Sequence, residues 1–279
     1  MSVSRSASHR AERWSAPTIA WACRALAWLP ERQWPACVVA FHRVWDGSRD
    51  ELSYPPAAFA ELCRYWRDHF EMLTLDRLLA RHRHGDVATH PTLAITFDDG
   101  YADNAEVAAP ILDRLGLGAT FFVTTGYIGT EQRFAWDRGL ARPARLMRWE
   151  QVRELHRAGF GIGSHTVSHA RLSQTPDASL RWELDASRRR LEAEMGEAVL
   201  DFAYPFGGPE DCGEAARGAI ASAGYRSCFS CHGGLIRTGE SAYRLRRVSI
   251  SPRYHGSPRD WAAQYARLRW QAGRRRAEG

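Results

Sequence analysis

The chain has 279 residues, carries 38 Lys+Arg against 32 Asp+Glu for a net charge of +6, and is 44% hydrophobic. That hydrophobic share excludes a disordered chain, the length suits one large α/β domain or two small ones, and no run approaches the roughly 20 apolar residues of a membrane span. Every basic residue is Arg, which also excludes lysine Schiff bases, lysine nucleophiles and Walker-type phosphate lysines.

Residues 1–35 read as an N-terminal extension with a short amphipathic helix. Ile19, Ala22, Leu26 and Leu29 share one face there, with Trp21 and Trp28 near its edge. The stretch 18–29 is broken by Arg24 and lacks a small-x-small end, so it reads poorly as a signal peptide, and a cytoplasmic protein is expected. One domain is predicted over 36–257. It opens with a strand at 36–41, then helical spacing at Phe59, Leu62, Cys63 and Trp66. A buried strand at 92–97 runs into Asp98-Asp99-Gly100, followed by a helix at 103–115 and a strand at 119–124. Next come a helix at 149–157, a strand at 160–164 and a charged helix at 180–195 stopped by Gly196. Strands at 200–204, 225–229 and 245–250 complete the pattern, with a helix at 213–223. Strand and helix taking turns argue for a mostly parallel sheet with helices outside it.

Residues 258–279 read as a basic helix and tail, with six Arg against Asp260 and Glu278. The body is therefore close to charge balance, and no nucleic-acid partner is expected. Trp261, Tyr265 and Leu268 recur at helical spacing. An aromatic, Arg-rich face suits peripheral contact with an anionic membrane; the plainer expectation, favoured here, is that both terminal helices cover a seam or the bottom of a barrel. Of six cysteines, Cys228 and Cys231 fall in a C-x-x-C-H run with His232, the haem-attachment spacing. Cys228 sits in a predicted strand and no export signal is legible, so coincidence is the better reading.

Active sites of α/β sheets lie at the carboxyl ends of strands. Three strand endings carry polar residues: Thr96-Phe97-Asp98-Asp99-Gly100-Tyr101, Gly163-Ser164-His165-Thr166-Val167-Ser168-His169, and Phe202-Ala203-Tyr204-Pro205-Phe206-Gly207. Diverging neighbours on a strand let one carboxylate bind a metal while the other faces substrate; the plain alternative is an Asp-Gly turn with helix-capping acids. Two His at i and i+4 share a face on a helical turn and reach one ion. One carboxylate with two imidazoles holds Zn²⁺ while leaving a position open for water, and also suits non-haem Fe(II).

In that order, the TFDDGY, SHTVSH and FAYPFG runs resemble the polysaccharide deacetylases of carbohydrate esterase family 4, the NodB-homology type. ATFFV at 119–123, the helix at Trp149 and GYRSCFS at 224–230 extend the likeness over 36–250. The resemblance implies an α/β fold, a distorted, incomplete (β/α) barrel of about seven strands. It also implies one divalent metal, zinc first, with cobalt, nickel or iron as alternatives. The implied reaction is hydrolysis of N-acetyl groups from an amino-sugar glycan, such as a cell-envelope glycan, or a glycolipid. By position it implies Asp98 as general base and Asp99, His165 and His169 as metal ligands. It places the Phe206 N–H, with Tyr204 beside it, on the substrate and oxyanion side.

Two departures stand out. The Arg that orients the base in the common third motif is replaced by Ala203, and Arg247 is the candidate to supply it, ahead of Arg246; a surface Arg on an edge strand is the plain alternative. The late Leu-x-His acid is missing from its expected place. Instead, Val39-Ala40-Phe41-His42-Arg43-Val44 resembles the YHRV start of the branch that includes poly-N-acetylglucosamine deacetylases, which implies His42 as general acid. His42 directly follows a predicted strand, His82 and His84 fall in a basic helix end, and His255 is a looser alternative. Two other readings stay open: a hydrolase of small cyclic amides such as allantoin or imides on the same fold, and a catalytically silent glycan-binding protein.

Overall fold

The computed structural model describes residues 34–86 and 88–277. The N-terminal helical face at Ile19 to Leu29 lies outside the described residues. Ten strands are described: β1 Cys37–Phe41, β2 Arg43–Val44, β3 Ser53–Tyr54, β4 Glu71–Met72, β5 Thr92–Phe97, β6 Ala119–Val123, β7 Gly161–Ser164, β8 Asp201–Ala203, β9 Ser227–Gly233 and β10 Leu245–Ser249. Seven of them, β1, β5, β6, β7, β8, β9 and β10, pair in parallel in that order, and β10 returns to β1. β4 adds beside the start of β5, and β2 with β3 forms a separate ribbon. The joints are uneven: β7 meets β8 only at Ser164 and Phe202, and the β10–β9 register shifts between Leu245 and Arg247.

Side chains alternate across each strand, so every strand feeds two packing layers. Val38, Ala94, Phe122, Ala203, Phe229 and Leu245 share the inner cluster. Val39, Phe41, Ile95, Phe97, Phe121 and Val123 face outward to the helices. In register, Phe41, Phe97 and Phe121 stack across β1, β5 and β6 with ring centroids 5.5 and 4.9 Å apart. The helix Pro56–His69 closes over this ladder with Phe59, Leu62, Cys63 and Trp66, the four positions its periodicity predicts.

The helix predicted at 103–115 is two elements, a π-helical turn Asn104–Ala108 and an α-helix Ala109–Arg114. Pro110 lacks the N–H that would continue the α-helical ladder, and the Ala109 N–H reaches back five residues to the Asn104 carbonyl. The wider turn also carries Asp103 and Asn104 to the chain after β1. The Val44 N–H donates to Asp103 Oδ1 at 2.7 Å, and Asn104 Nδ2 donates to the His42 carbonyl at 2.8 Å.

The terminal helix Pro258–Ala277 turns its aromatic stripe inward. Trp261 is fully buried, edge-on to Trp66 at 5.2 Å, and Tyr265 packs on Phe70 at 4.9 Å. At this end of the chain the stripe that would enter a lipid surface is packed against the body, as the covering role favoured for it expects. It covers the helix Pro56–His69 rather than a seam, because β1 bridges β5 and β10. Burial of an indole on this scale is worth about 3–5 kcal/mol against truncation to Ala.

Candidate active site

A pocket of about 310 Å³ opens at the carboxyl ends of the strands, lined by His42, Asp98, Asp99, His165, His169 and Phe206 among others. A larger depression of about 570 Å³ lies at the amino ends, among Asp68, Arg81 and His90. No trio of potential metal ligands converges there among the described residues.

Asp98 continues the alternation of Ala94 and Thr96 and so turns into the barrel. Arg247 meets it from β10 in the same phase as Leu245. Its Nη1 and Nη2 donate to Asp98 Oδ1 and Oδ2, each at 2.7 Å, while Nη1 also donates to Thr96 Oγ1 and Nε to the Ser230 carbonyl. Both residues are buried. Burial would raise the Asp98 carboxyl, but the Arg247 guanidinium holds it below the ordinary carboxylate value. Arg246 faces the other way and pairs with Glu240.

Asp99 is 1% exposed, with φ at +74°. His165 Nε2 and His169 Nε2 stand 3.3 and 3.2 Å from its Oδ1, and all three ligand atoms lie within 4.8 Å of one another. Neither Asp99 oxygen has a hydrogen-bond partner. His165 Nδ1 lies 2.7 Å from the Ala203 carbonyl, which can only accept, so Nδ1 carries a proton. That leaves Nε2 turned toward the buried Asp99 carboxylate. A divalent cation between them would take the nitrogen and the carboxylate oxygen together as ligands. The donor set therefore fits a divalent ion such as zinc, cobalt, nickel or iron.

The two histidines converge by a route the spacing did not predict. Residues 165–169 form a loop, not a helical turn, with Thr166 and His169 both left-handed. Glu183, buried on the helix Asp177–Met195, pins that loop by accepting from the Val167 N–H at 2.7 Å, the Ser168 N–H at 3.0 Å and the Ser168 hydroxyl. The four non-glycine residues of positive φ among the described residues are Asp99, Thr166, His169 and Phe206, all at this mouth. Such conformations persist only where the surroundings over-determine them.

Phe206 and Gly207 form a left-handed turn whose Gly207 carbonyl accepts from the Cys231 N–H at 3.0 Å. A Cβ on Gly207 would come within 2.4 Å of that same nitrogen, so only glycine fits. The Phe206 N–H donates to no carbonyl among the described residues, and its ring stands 4.8 Å from His169. Tyr204 also lines the pocket, but its hydroxyl donates to the Gly208 carbonyl at 3.1 Å and so braces the turn. His42 lines the pocket too, and burial lowers its imidazole pKa. His255 does not reach it. That ring is buried against Trp261, where its Nδ1 accepts from the Ser251 N–H, so it is no substitute acid.

Several residues were not foreseen. Trp136, 39% exposed, packs 5.1 Å from His169 and donates to the Tyr101 hydroxyl, which donates in turn to Asp137. Cys231 shares the inward phase of Phe229 and puts its Sγ 3.4 Å from Asp98 Oδ2, whereas Cys228 is buried on the opposite face. A haem bound through both thiols is thereby excluded. No local signal marks Glu183 or Cys231; the alternation of β9 is the one clue to the latter.

A family model described as polysaccharide deacetylase matches residues 86–228. YxkH of Bacillus subtilis, assigned to the polysaccharide deacetylases, is 24% identical over 233 residues, 83% of this chain and 77% of its own. The poly-beta-1,6-N-acetyl-D-glucosamine N-deacetylase of Staphylococcus aureus is 23% identical over 209 residues, 71% of this chain and 68% of its own. Among solved structures, IcaB from Ammonifex degensii superposes with a TM-score of 0.68 at 21% identity, covering 83% of this chain and 98% of its own. At that identity the likeness carries the fold alone.

Proposed function

The chain belongs to the polysaccharide deacetylase family, and from that premise we propose that it removes N-acetyl groups from an amino-sugar glycan by metal-dependent hydrolysis, releasing acetate. The observation that carries this reading is the pairing, in one pocket, of a carboxylate gripped by Arg247 with a carboxylate and two imidazoles that converge on one point. The relatives named as poly-N-acetylglucosamine deacetylases support the substrate class.

Asp99, His165 and His169 would hold the ion, which when bound supplies Lewis acidity and draws the pKa of a water toward neutrality. The work of the chain's own residues follows from their placement. Asp98, ionised and fixed by Arg247, takes the proton of the attacking water, a role worth about 10²–10⁴-fold. The unpartnered Phe206 N–H is free to donate to the oxyanion that develops as the amide carbonyl is attacked. His42, across the same pocket and tethered through its carbonyl to Asn104, passes a proton to the departing sugar amine. Trp136 and Phe206, 39% and 46% exposed, form apolar walls at the mouth against which a sugar ring can lie.

The test is acetate release from N-acetylglucosamine oligomers by metal-stripped and metal-restored protein, beside allantoin and cyclic imides. Acetate that appears only with metal and is absent in His165→Ala supports the proposal. Ring opening of a cyclic amide without acetate release would overturn it, as would metal binding with no hydrolysis of any of these substrates.

A further inference from the structure

We propose that the pocket holds a second, thiol-containing divalent-metal position, formed by His42, Asp98 and Cys231, beside Asp99, His165 and His169. One ligand atom from each of the three residues lies within 4.8 Å of the other two. Cys231 Sγ stands 3.4 Å from Asp98 Oδ2. A tetrahedral ion with bonds of about 2.3 Å to sulfur and about 2.0 Å to oxygen sets those ligands about 3.5 Å apart, so this edge already has the right length.

His42 and Asp98 directly follow β1 and β5, Cys231 lies within β9, and each is separately anchored. His42 is tied by its carbonyl to Asn104, Asp98 by Arg247, and the Cys231 backbone by the Gly207 carbonyl. All three line the same pocket. The other described cysteines, Cys37, Cys63, Cys212 and Cys228, are buried, whereas Cys231 is partly exposed. The hydrolytic scheme leaves the Cys231 thiol without a task. Thiolate, imidazole and carboxylate together form a zinc-type donor set that disfavours magnesium and calcium.

The two positions differ in what an ion must displace. Among the described residues no Arg pairs with Asp99. At the second position Arg247 Nη2 stands 2.7 Å from Asp98 Oδ2 and 3.5 Å from Cys231 Sγ, and an incoming ion must move it from both while Nη1 keeps Oδ1. The ion must also release to solvent the proton that the Cys231 thiol donates to Asp98 Oδ2. The second ion therefore binds after the first and more weakly. Its consequence rests on the deacetylase reading: an ion on Asp98 and His42 occupies both groups assigned to proton transfer, so excess zinc inhibits.

Titration of metal-stripped protein with Co²⁺ separates the two positions by spectrum. The first equivalent should give ligand-field bands without thiolate-to-cobalt charge transfer in the near ultraviolet, and the second should bring that band in. Cys231→Ser and Cys231→Ala should keep the first equivalent, which also reports that they fold, and lose both the band and the second equivalent. Acetate release should fall as the second position fills with zinc, and Cys231→Ser should relieve that inhibition. A thiolate band with the first equivalent, or saturation at one equivalent without the band, overturns the proposal. Two equivalents bound with the thiolate band but no acetate released at any loading would instead break the deacetylase reading and leave the second position standing.

Discussion

Asp98 and Asp99 are consecutive, buried to within 2% of full enclosure, and solved in opposite ways by the surrounding protein. Around Asp98 the chain supplies its own counter-charge: Arg247 grips both oxygens and is itself held by Thr96 and Ser230. Around Asp99 it supplies no guanidinium, only two imidazole nitrogens at 3.2 and 3.3 Å, with no hydrogen bond to either oxygen among the described residues. A buried charge must be compensated or it neutralises. Compensated by the protein, Asp98 is a fixed carboxylate that an ion reaches only by displacing Arg247; without such a partner, Asp99 stands ready for an ion. One left-handed residue separates the two outcomes.

The largest effect expected from breaking this contrast is on the Asp99 side. Asp99→Ala or His165→Ala should abolish metal binding and reduce acetate release to background, read by metal analysis and an acetate assay. Asp98→Asn should keep the metal yet lower turnover by about 10²–10⁴-fold, since it removes the proton acceptor and leaves the ligands; loss of the metal in this variant would reverse the division of labour. Arg247→Ala should cost about 3–5 kcal/mol of stability, because it strands a buried carboxylate. Arg247→Lys should recover only part of that in a urea midpoint, as an ammonium cannot reproduce the two-pronged contact. His42→Ala should retain metal and substrate binding and lower turnover by about 10²-fold, the lower end for a proton-transfer group.

The smallest effect lies just outside the pair. Asp103, partly buried, is pushed up to about 7, chiefly by burial. Between the ordinary carboxylate value and about 7 the folded chain holds a proton that the unfolded chain has released, so this group's contribution to stability is lost as pH rises through that window. Asp103→Asn keeps an oxygen for the Val44 N–H and removes the charge. Its melting temperature, relative to the parent, should improve by a few degrees from pH 5 to pH 8; a constant difference would show that Asp103 does not titrate there.

The parts legible in the sequence are those whose information is contiguous. The TLAITF run marks β5, and the two acids after it mark the mouth, because a strand end and its next residues share one short stretch of chain. The SHTVSH run announces two imidazoles near one ion, but not the loop that brings them together. That loop depends on Glu183, contributed by a helix 15 residues beyond Ser168. The helix read at 103–115 shows the same limit on a smaller scale: Pro110 signals a defect, while the π-turn that places Asp103 and Asn104 depends on what they grip after β1.

Legible in the chain alone are the alternation of strands and helices, the polar strand mouths, and Asp98, Asp99, His165 and His169 as candidates, since periodicity and motif order need no tertiary contact. Only the tertiary structure decided which Arg serves Asp98. Arg246 and Arg247 are adjacent and chemically identical, and the phase of β10 around the closed barrel sends one to Glu240 and the other to Asp98. It likewise decided that Cys231 enters the pocket and Cys228 the opposite layer, and that His255 is spent against Trp261. Side-chain direction in a barrel is set by register and closure, and these are sums over contacts between residues far apart in sequence.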